Sequence, residues 1–232
     1  MPDPSAKSLF NIYQVQLGRF FSEHEFNIDV KANLQPVVLS SIVMYYRVVI
    51  NLLPTPSKSH YVFNLRDLTK LIKGIMQANS IVIVSKENLC NLFAHECVRV
   101  FNDRLICKED NEIFYTNLCE TIADYFKIAF RNPFKPWLTE KKYPQQQEKE
   151  IAMVETTSTT TVTTTTSSLD ESLSDFLIYG DFMKNEERLY QNITNWKQLV
   201  SVLSEYQMRS YMAGHAAKQI VFFKEAVEHI CR

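Results

Sequence analysis

Glycine is scarce, with four residues among 232, at positions 18, 74, 180 and 214. None opens a G-x-x-x-x-G-K-[ST] run, the loop whose backbone N–H groups cradle nucleotide phosphates, so the chain has no P-loop and is expected to bind no nucleotide by itself. The same scarcity argues against glycine-rich turn architectures and, beside abundant Leu, Ile, Phe and Tyr, favours long helices. Uninterrupted apolar runs are short: residues 81–84 and 220–223 fall far below the roughly 20 needed to cross a bilayer, so no membrane partner is expected. Concentrated positive charge is missing as well. The 25 Lys and Arg are balanced by 26 Asp and Glu and spread along the chain, which speaks against a nucleic-acid partner. Residues 1–5 offer neither a basic nor an apolar leader, so export is not indicated. Five widely spaced cysteines without a C-x-x-C pair read as reduced intracellular thiols, most of them in the core.

Metal and nucleophile patterns are incomplete. His95-Glu96 resembles the start of a zinc-protease helix, but the second ligand position, four residues on, is Arg99, and a cation cannot ligate. His24, His60, His215 and His229 add no ligand spacing, so no metal site and no catalytic residue are expected. Cys97 lies two residues from His95, and such neighbours do not face each other on a helix; the pair reads as a core thiol beside a partly exposed imidazole. Two cations deserve closer reading, Arg66 and Arg99, because each sits in an apolar and aromatic context where an unpaired charge is costly. Composition favours ordinary salt bridges for both: Arg66 with Asp67 or a neighbouring Glu, Arg99 with Glu96 or Asp103.

What is present is helical periodicity, and 46% apolar residues suffice for a core. Leu9, Tyr13, Leu17 and Phe20 recur at helical spacing, and Leu34, Val38, Ile42, Tyr45, Val49 and Leu52 keep one apolar face for five turns. Pro54 and Pro56 stop the second helix and make a rigid corner. Asn64 can cap a helix bearing Leu65, Leu68, Ile72, Ile75 and Met76. Residues 81–84 could form an extended connector before Ser85 caps a helix with Leu89, Phe93, Cys97 and Val100 in register. Asp110 opens a fifth helix, with Phe114, Leu118, Ile122 and Tyr125 inward, ending before Pro133. These five helices predict an all-α protein with a compact bundle over residues 1–137.

Residues 138–170 change character: 144–150 are polar, and 156–168 are Thr and Ser apart from Val162. With no apolar alternation to give a strand a face, the stretch reads as a disordered linker. Over residues 171–232 order is expected to resume. A helix is predicted over about 186–206 on Leu189, Ile193, Trp196, Leu199 and Leu203, and a last one from about residue 218. Its apolar positions, Ile220, Phe223, Val227 and Ile230, stay periodic up to Arg232 without a stop signal, the pattern expected of a truncated chain.

The string Leu53-Pro54-Thr55-Pro56-Ser57-Lys58-Ser59-His60-Tyr61-Val62-Phe63-Asn64-Leu65-Arg66-Asp67-Leu68 closely resembles a signature of dynein heavy chains, in the helical lid of their third AAA+ module. His95-Glu96-Cys97-Val98-Arg99-Val100-Phe101-Asn102-Asp103-Arg104-Leu105 resembles the lid helix that follows it. Tyr179-Gly180-Asp181-Phe182-Met183 looks like the opening of the fourth module, and residues 219–232 resemble the helix before that module's P-loop. The Thr-rich stretch has no counterpart in the pattern, which leaves the spacing between the modules open. The resemblance implies three parts: a lid over 1–137, a linker over 138–170, and over 171–232 the first helices of the next module. It also implies that Arg66 is the sensor 2 arginine, reaching toward nucleotide phosphates with planar bidentate donors. The parent would be an ATP-driven, minus-end-directed microtubule motor holding ATP or ADP with Mg. Its implied partners are neighbouring AAA+ modules, intermediate and light intermediate chains, and microtubules. Its implied place is the cytoplasm and cytoskeleton, with an axonemal form favoured. A stand-alone helical interaction module is the alternative.

Overall fold

The computed structural model describes residues 4–128, 177–183, 188–213 and 220–232. Among these described residues the architecture is all-α apart from one two-stranded ladder. Helix α1 (Ala6–Glu23) starts where Ser5 Oγ accepts from the Ser8 N–H at 3.2 Å, and it buries Leu9, Tyr13, Leu17, Phe20 and Phe21. A short α2 (Ile28–Ala32), not foreseen in the sequence, buries Val30. Helix α3 (Leu34–Asn51) is the hub, packed against α1, against α4 (Leu65–Ile75) and against α6 (Lys108–Phe126). By length and composition α3 would pass for a bilayer span, but its apolar residues are needed because neighbours cover it on several sides. The Ser40 and Ser41 hydroxyls, buried there, both donate to the Val37 carbonyl at 2.9 and 2.7 Å. Arg47 ties α3 to α6 by donating to the Asn117 carbonyl at 3.1 Å and to Thr121 Oγ1 at 3.0 Å.

The proline corner forms as read, with residues Pro56–Lys58 closing a 3₁₀ turn. Asn64 caps α4 as expected. The residues at 81–84 are not an extended connector. The Asn79 carbonyl accepts from Val82 and Ile83 N–H while its side chain accepts from Ile81 N–H, so the segment curls into a turn that buries Ile83 and leaves Ile81 exposed. A short polar side chain bonding its own local backbone outcompetes the strand preference of Ile and Val. Ser85 then caps α5 (Lys86–Cys97), which continues as a π turn (Val98–Asn102). Helix α6 opens after Cys107, which places Asp110 in its first turn, and ends at Phe126 with Lys127 in the left-handed region at φ 52°.

The second half departs most from expectation. The helix predicted over about 186–206 begins only at Trp196. Gln191–Asn192 is a strand (β2) paired antiparallel with Tyr179–Gly180 (β1), Tyr179 opposite Asn192. Asn195 is the reason: its side chain accepts from the Gln198 N–H at 3.1 Å and caps α7 (Trp196–Met212). The last helix, α8, spans Lys224–Cys231 instead of starting near 218. The predicted linker over 138–170 lies outside the described residues. Leu177 and Tyr179 join the main core of α1–α6, whereas Ile178 between them joins a second cluster with Ile193, Leu199, Leu203 and Val227. Successive side chains of an extended segment point to opposite sides, so three residues stitch two cores together.

Candidate functional site

Arg66 is the second residue of α4, and its own N–H is consumed by the cap, donating to Asn64 Oδ1 at 2.9 Å. The side chain is exposed. Among the described residues no carboxylate pairs with its guanidinium, so the salt bridge favoured by composition does not form. Asp67, the nearest candidate, is 3% exposed and already engaged. Its Oδ2 accepts from the Asn64 N–H at 3.1 Å, closing a reciprocal capping box, and its Oδ1 accepts from Arg104 Nη2 at 3.0 Å. The box holds the first turn of α4 and uses up the local negative charge, leaving Arg66 as a cation at the positive end of a helix dipole. Both features favour an anionic visitor.

The segment leading into Arg66 is clamped from behind. Arg104 donates to the Val62 carbonyl at 3.1 Å, and its guanidinium lies 4.9 Å from the Phe63 ring centre. His60 Nε2 sits 3.0 Å from the Arg104 carbonyl. Lys58 and Tyr61 both donate to Asp110 Oδ2, at 2.6 and 2.9 Å, and the Tyr61 hydroxyl accepts from the Ile106 N–H at 3.0 Å. Asp110's hydrogen bond holds the Lys58 ammonium above its ordinary range. Burial pushes the Asp110 carboxyl up, but the bonds from Lys58 and Tyr61 outweigh it and keep the group below the usual carboxylate range. Residues 58–67 are thus fixed to 104–110, and Arg66 stands on a rigid base.

A second polar cluster lies buried on α5. Arg99 forms the salt bridge anticipated for it, donating to Glu96 Oε2 from Nε at 2.9 Å and from Nη2 at 2.6 Å. Glu96 is fully buried, and its other oxygen accepts from the Tyr190 hydroxyl at 2.5 Å. The carboxylate presses so closely on α4 that a Cβ at Gly74 would overlap it. Burial pushes the Glu96 carboxyl up against the charge of Arg99 and the bond from Tyr190. His95 is not the partly exposed imidazole expected; it is 1% exposed. Leu177, Tyr179 and Tyr190 cover it, with Nδ1 3.4 Å from the Leu177 carbonyl. Burial, reinforced by the charge of Arg232, presses its pKa down to about 3, so the ring is neutral. Cys97 is a core thiol as read, pushed up by burial and so unreactive.

The sequence singled out Arg66, and Glu96 as a partner of Arg99, but not Arg104 and Asp110 as the groups that clamp the segment leading into Arg66, nor Tyr190 as the second partner of Glu96. The N-x-x-D spacing of Asn64 and Asp67 was a legible capping signal; pairings across 37 to 94 residues left none.

Residues 18–111 match the family described as dynein heavy chain, ATPase lid domain. Over 236 aligned residues and the whole chain, the sequence is 32% identical to dynein axonemal heavy chain 6 of Homo sapiens. It is 32% identical over 90% of the chain to the Dynein-1-beta heavy chain, flagellar inner arm I1 complex, of Chlamydomonas reinhardtii. It is 28% identical over 98% of the chain to dynein axonemal heavy chain 12 of Rattus norvegicus. The chain spans only 4–7% of the length of these relatives.

Proposed function

Because this chain belongs to the dynein heavy chain family, we propose that it serves an ATP-driven, minus-end-directed microtubule motor as a nucleotide-sensing lid and as the relay from that lid to the next module. In this reading residues 1–137 are the lid of the third AAA+ module, 138–170 a linker, and 171–232 the opening of the fourth. The observation that carries it is Arg66. Its guanidinium is exposed, without a carboxylate partner among the described residues, on a helix start that Asp67 and Arg104 hold from behind. A positioned guanidinium can donate two hydrogen bonds to phosphate oxygens and lose them when the terminal phosphate leaves. Lid closure then follows nucleotide state. ATP or ADP with Mg would be held by a neighbouring large subdomain, since this chain offers a lid contact and no phosphate loop. Neighbouring AAA+ modules, intermediate and light intermediate chains and microtubules are the partners of the parent motor, and the axonemal and flagellar names of the relatives support the ciliary axoneme as its place.

The test is Arg66→Ala in an intact heavy chain, with Arg66→Lys as the conservative comparison. A charge-assisted contact is worth about 1.5–3 kcal/mol, so nucleotide affinity at that module should fall about ten- to a hundredfold. Lysine should recover part of it. Unchanged affinity and motility in Arg66→Ala would remove the sensor role.

A further inference from the structure

We infer that the strand pair and its flanks, residues 177–183 and 188–193, dock on α5 through two polar clasps, Tyr190 to Glu96 and the Leu177 carbonyl to His95, and that docking requires His95 to be neutral. The first clasp is charge-assisted. The Tyr190 hydroxyl reaches a buried carboxylate whose other oxygen is committed twice to Arg99, so the phenol completes a site that would otherwise keep an unsatisfied acceptor. The second clasp sets the condition. With Nδ1–H directed to Leu177, the opposite nitrogen, Nε2, is buried and has no hydrogen-bond partner among the described residues. A proton added there would create a buried donor facing no acceptor.

The surroundings offer the imidazolium no relief. On its own helix and the π turn, Glu96 is already saturated and Arg99 is a cation. From the strand pair come the rings of Tyr179 and Tyr190, with centres 5.4 and 6.4 Å away. From the end of α8 comes Arg232, held by Asp103 at 3.0 Å and Glu228 at 3.1 Å. Two arginines with their carboxylates spent leave the cavity unfavourable to a third positive charge.

The sign follows from linkage. Docked His95 has a pKa of about 3, and released His95 returns to about 6.5. The released state therefore binds more protons between those values, and docking is lost as the pH falls below about 6.5. Between pH 7.5 and 5.5 the docking equilibrium should weaken about tenfold. Glu96 works in the opposite sense, because its raised carboxyl is protonated more readily when docked. In the relay reading this clasp is the joint that passes lid movement onward, but docking itself can be measured without reference to Arg66.

The experiment is amide hydrogen exchange on the full 232-residue chain at pH 7.5 and 5.5, corrected for intrinsic exchange rates, with α3 amides as the internal control. We expect protection over 177–183 and 188–193 to fall about tenfold relative to α3 in the wild type. In His95→Gln that fall should vanish or reverse. Tyr190→Phe should lower protection at both pH values and leave the slope intact. A wild type without the slope, the same fall in His95→Gln, or no change in Tyr190→Phe would each overturn the inference. Should His95→Gln not fold, the ¹³C shift of the wild-type imidazole decides: a ring titrating near 6.5 while 177–183 and 188–193 stay protected overturns it, and one neutral at pH 5.5 in the docked state supports it.

Discussion

Gly74 shows how one side chain's absence is used. In a helix interior, glycine to alanine ordinarily stabilises by about 1 kcal/mol. Here the new methyl would meet the Glu96 carboxylate and crowd Arg99, and overpacking of this kind costs about 1–3 kcal/mol. We expect Gly74→Ala to lower stability in urea unfolding; a gain would mean that Glu96 moves aside at little cost. Asp67 is the opposite case, one carboxylate with several duties. Asp67→Ala removes the return half of the capping box and the Arg104 bond. Loss of a cap and of a charged hydrogen bond together should cost about 2–4 kcal/mol, read by the same unfolding curve. Arg66→Ala, whose guanidinium pairs with no carboxylate among the described residues, should leave that curve within about 0.5 kcal/mol. The contrast between adjacent residues separates support from sensing: if Arg66→Ala destabilised the lid as much as Asp67→Ala, its charge would be structural.

At the scale of elements, legibility follows the number of faces an element buries. Helices α1, α3, α4, α5 and α6 were readable because each shows the core a periodic stripe. The ladder of β1 and β2 was not, since two residues a side carry no period of their own. Ile193 misled for a physical reason. It is 3% exposed, so its apolar character is required, but it reaches the core from beside a strand, while Leu189 and Trp196 happen to continue a helical spacing through it. The overlooked signal was Asn195, three residues before Gln198. Replacing a helix cap by alanine costs about 1 kcal/mol. We expect Asn195→Ala to increase exchange of the first-turn amides of α7 several-fold while α3–α6 are unchanged; equal exchange would show that burial of Leu199 and Leu203 alone positions the helix start. The Arg66 base was half legible by the same logic, its capping box local and its Arg104 clamp 37 residues away.

Taken whole, the described residues form one substantial core with a smaller one joined to it through Leu177, Ile178 and Tyr179. The attached part covers itself poorly. Helix α7 buries only Leu199 and Leu203, and its later turns leave Met208 at 56%, Tyr211 at 68% and Met212 at 76% exposure. Positions 208, 211 and 212 share one helical face, so the residues form an apolar stripe with no cover among the described residues. Such surfaces favour association. We expect the 232-residue chain to self-associate with rising concentration in sedimentation velocity, and Tyr211→Ser with Met212→Ser to shift it toward monomer without moving the unfolding midpoint of α3–α6. Association that survives those substitutions would assign the contact to another surface, and a monomeric wild type would mean that the stripe is tolerated in water. The pH dependence tells the two weak points apart: loosening at α5 grows as His95 is protonated, whereas the stripe of Met208, Tyr211 and Met212 contains no histidine and no carboxylate and should associate equally at pH 7.5 and 5.5.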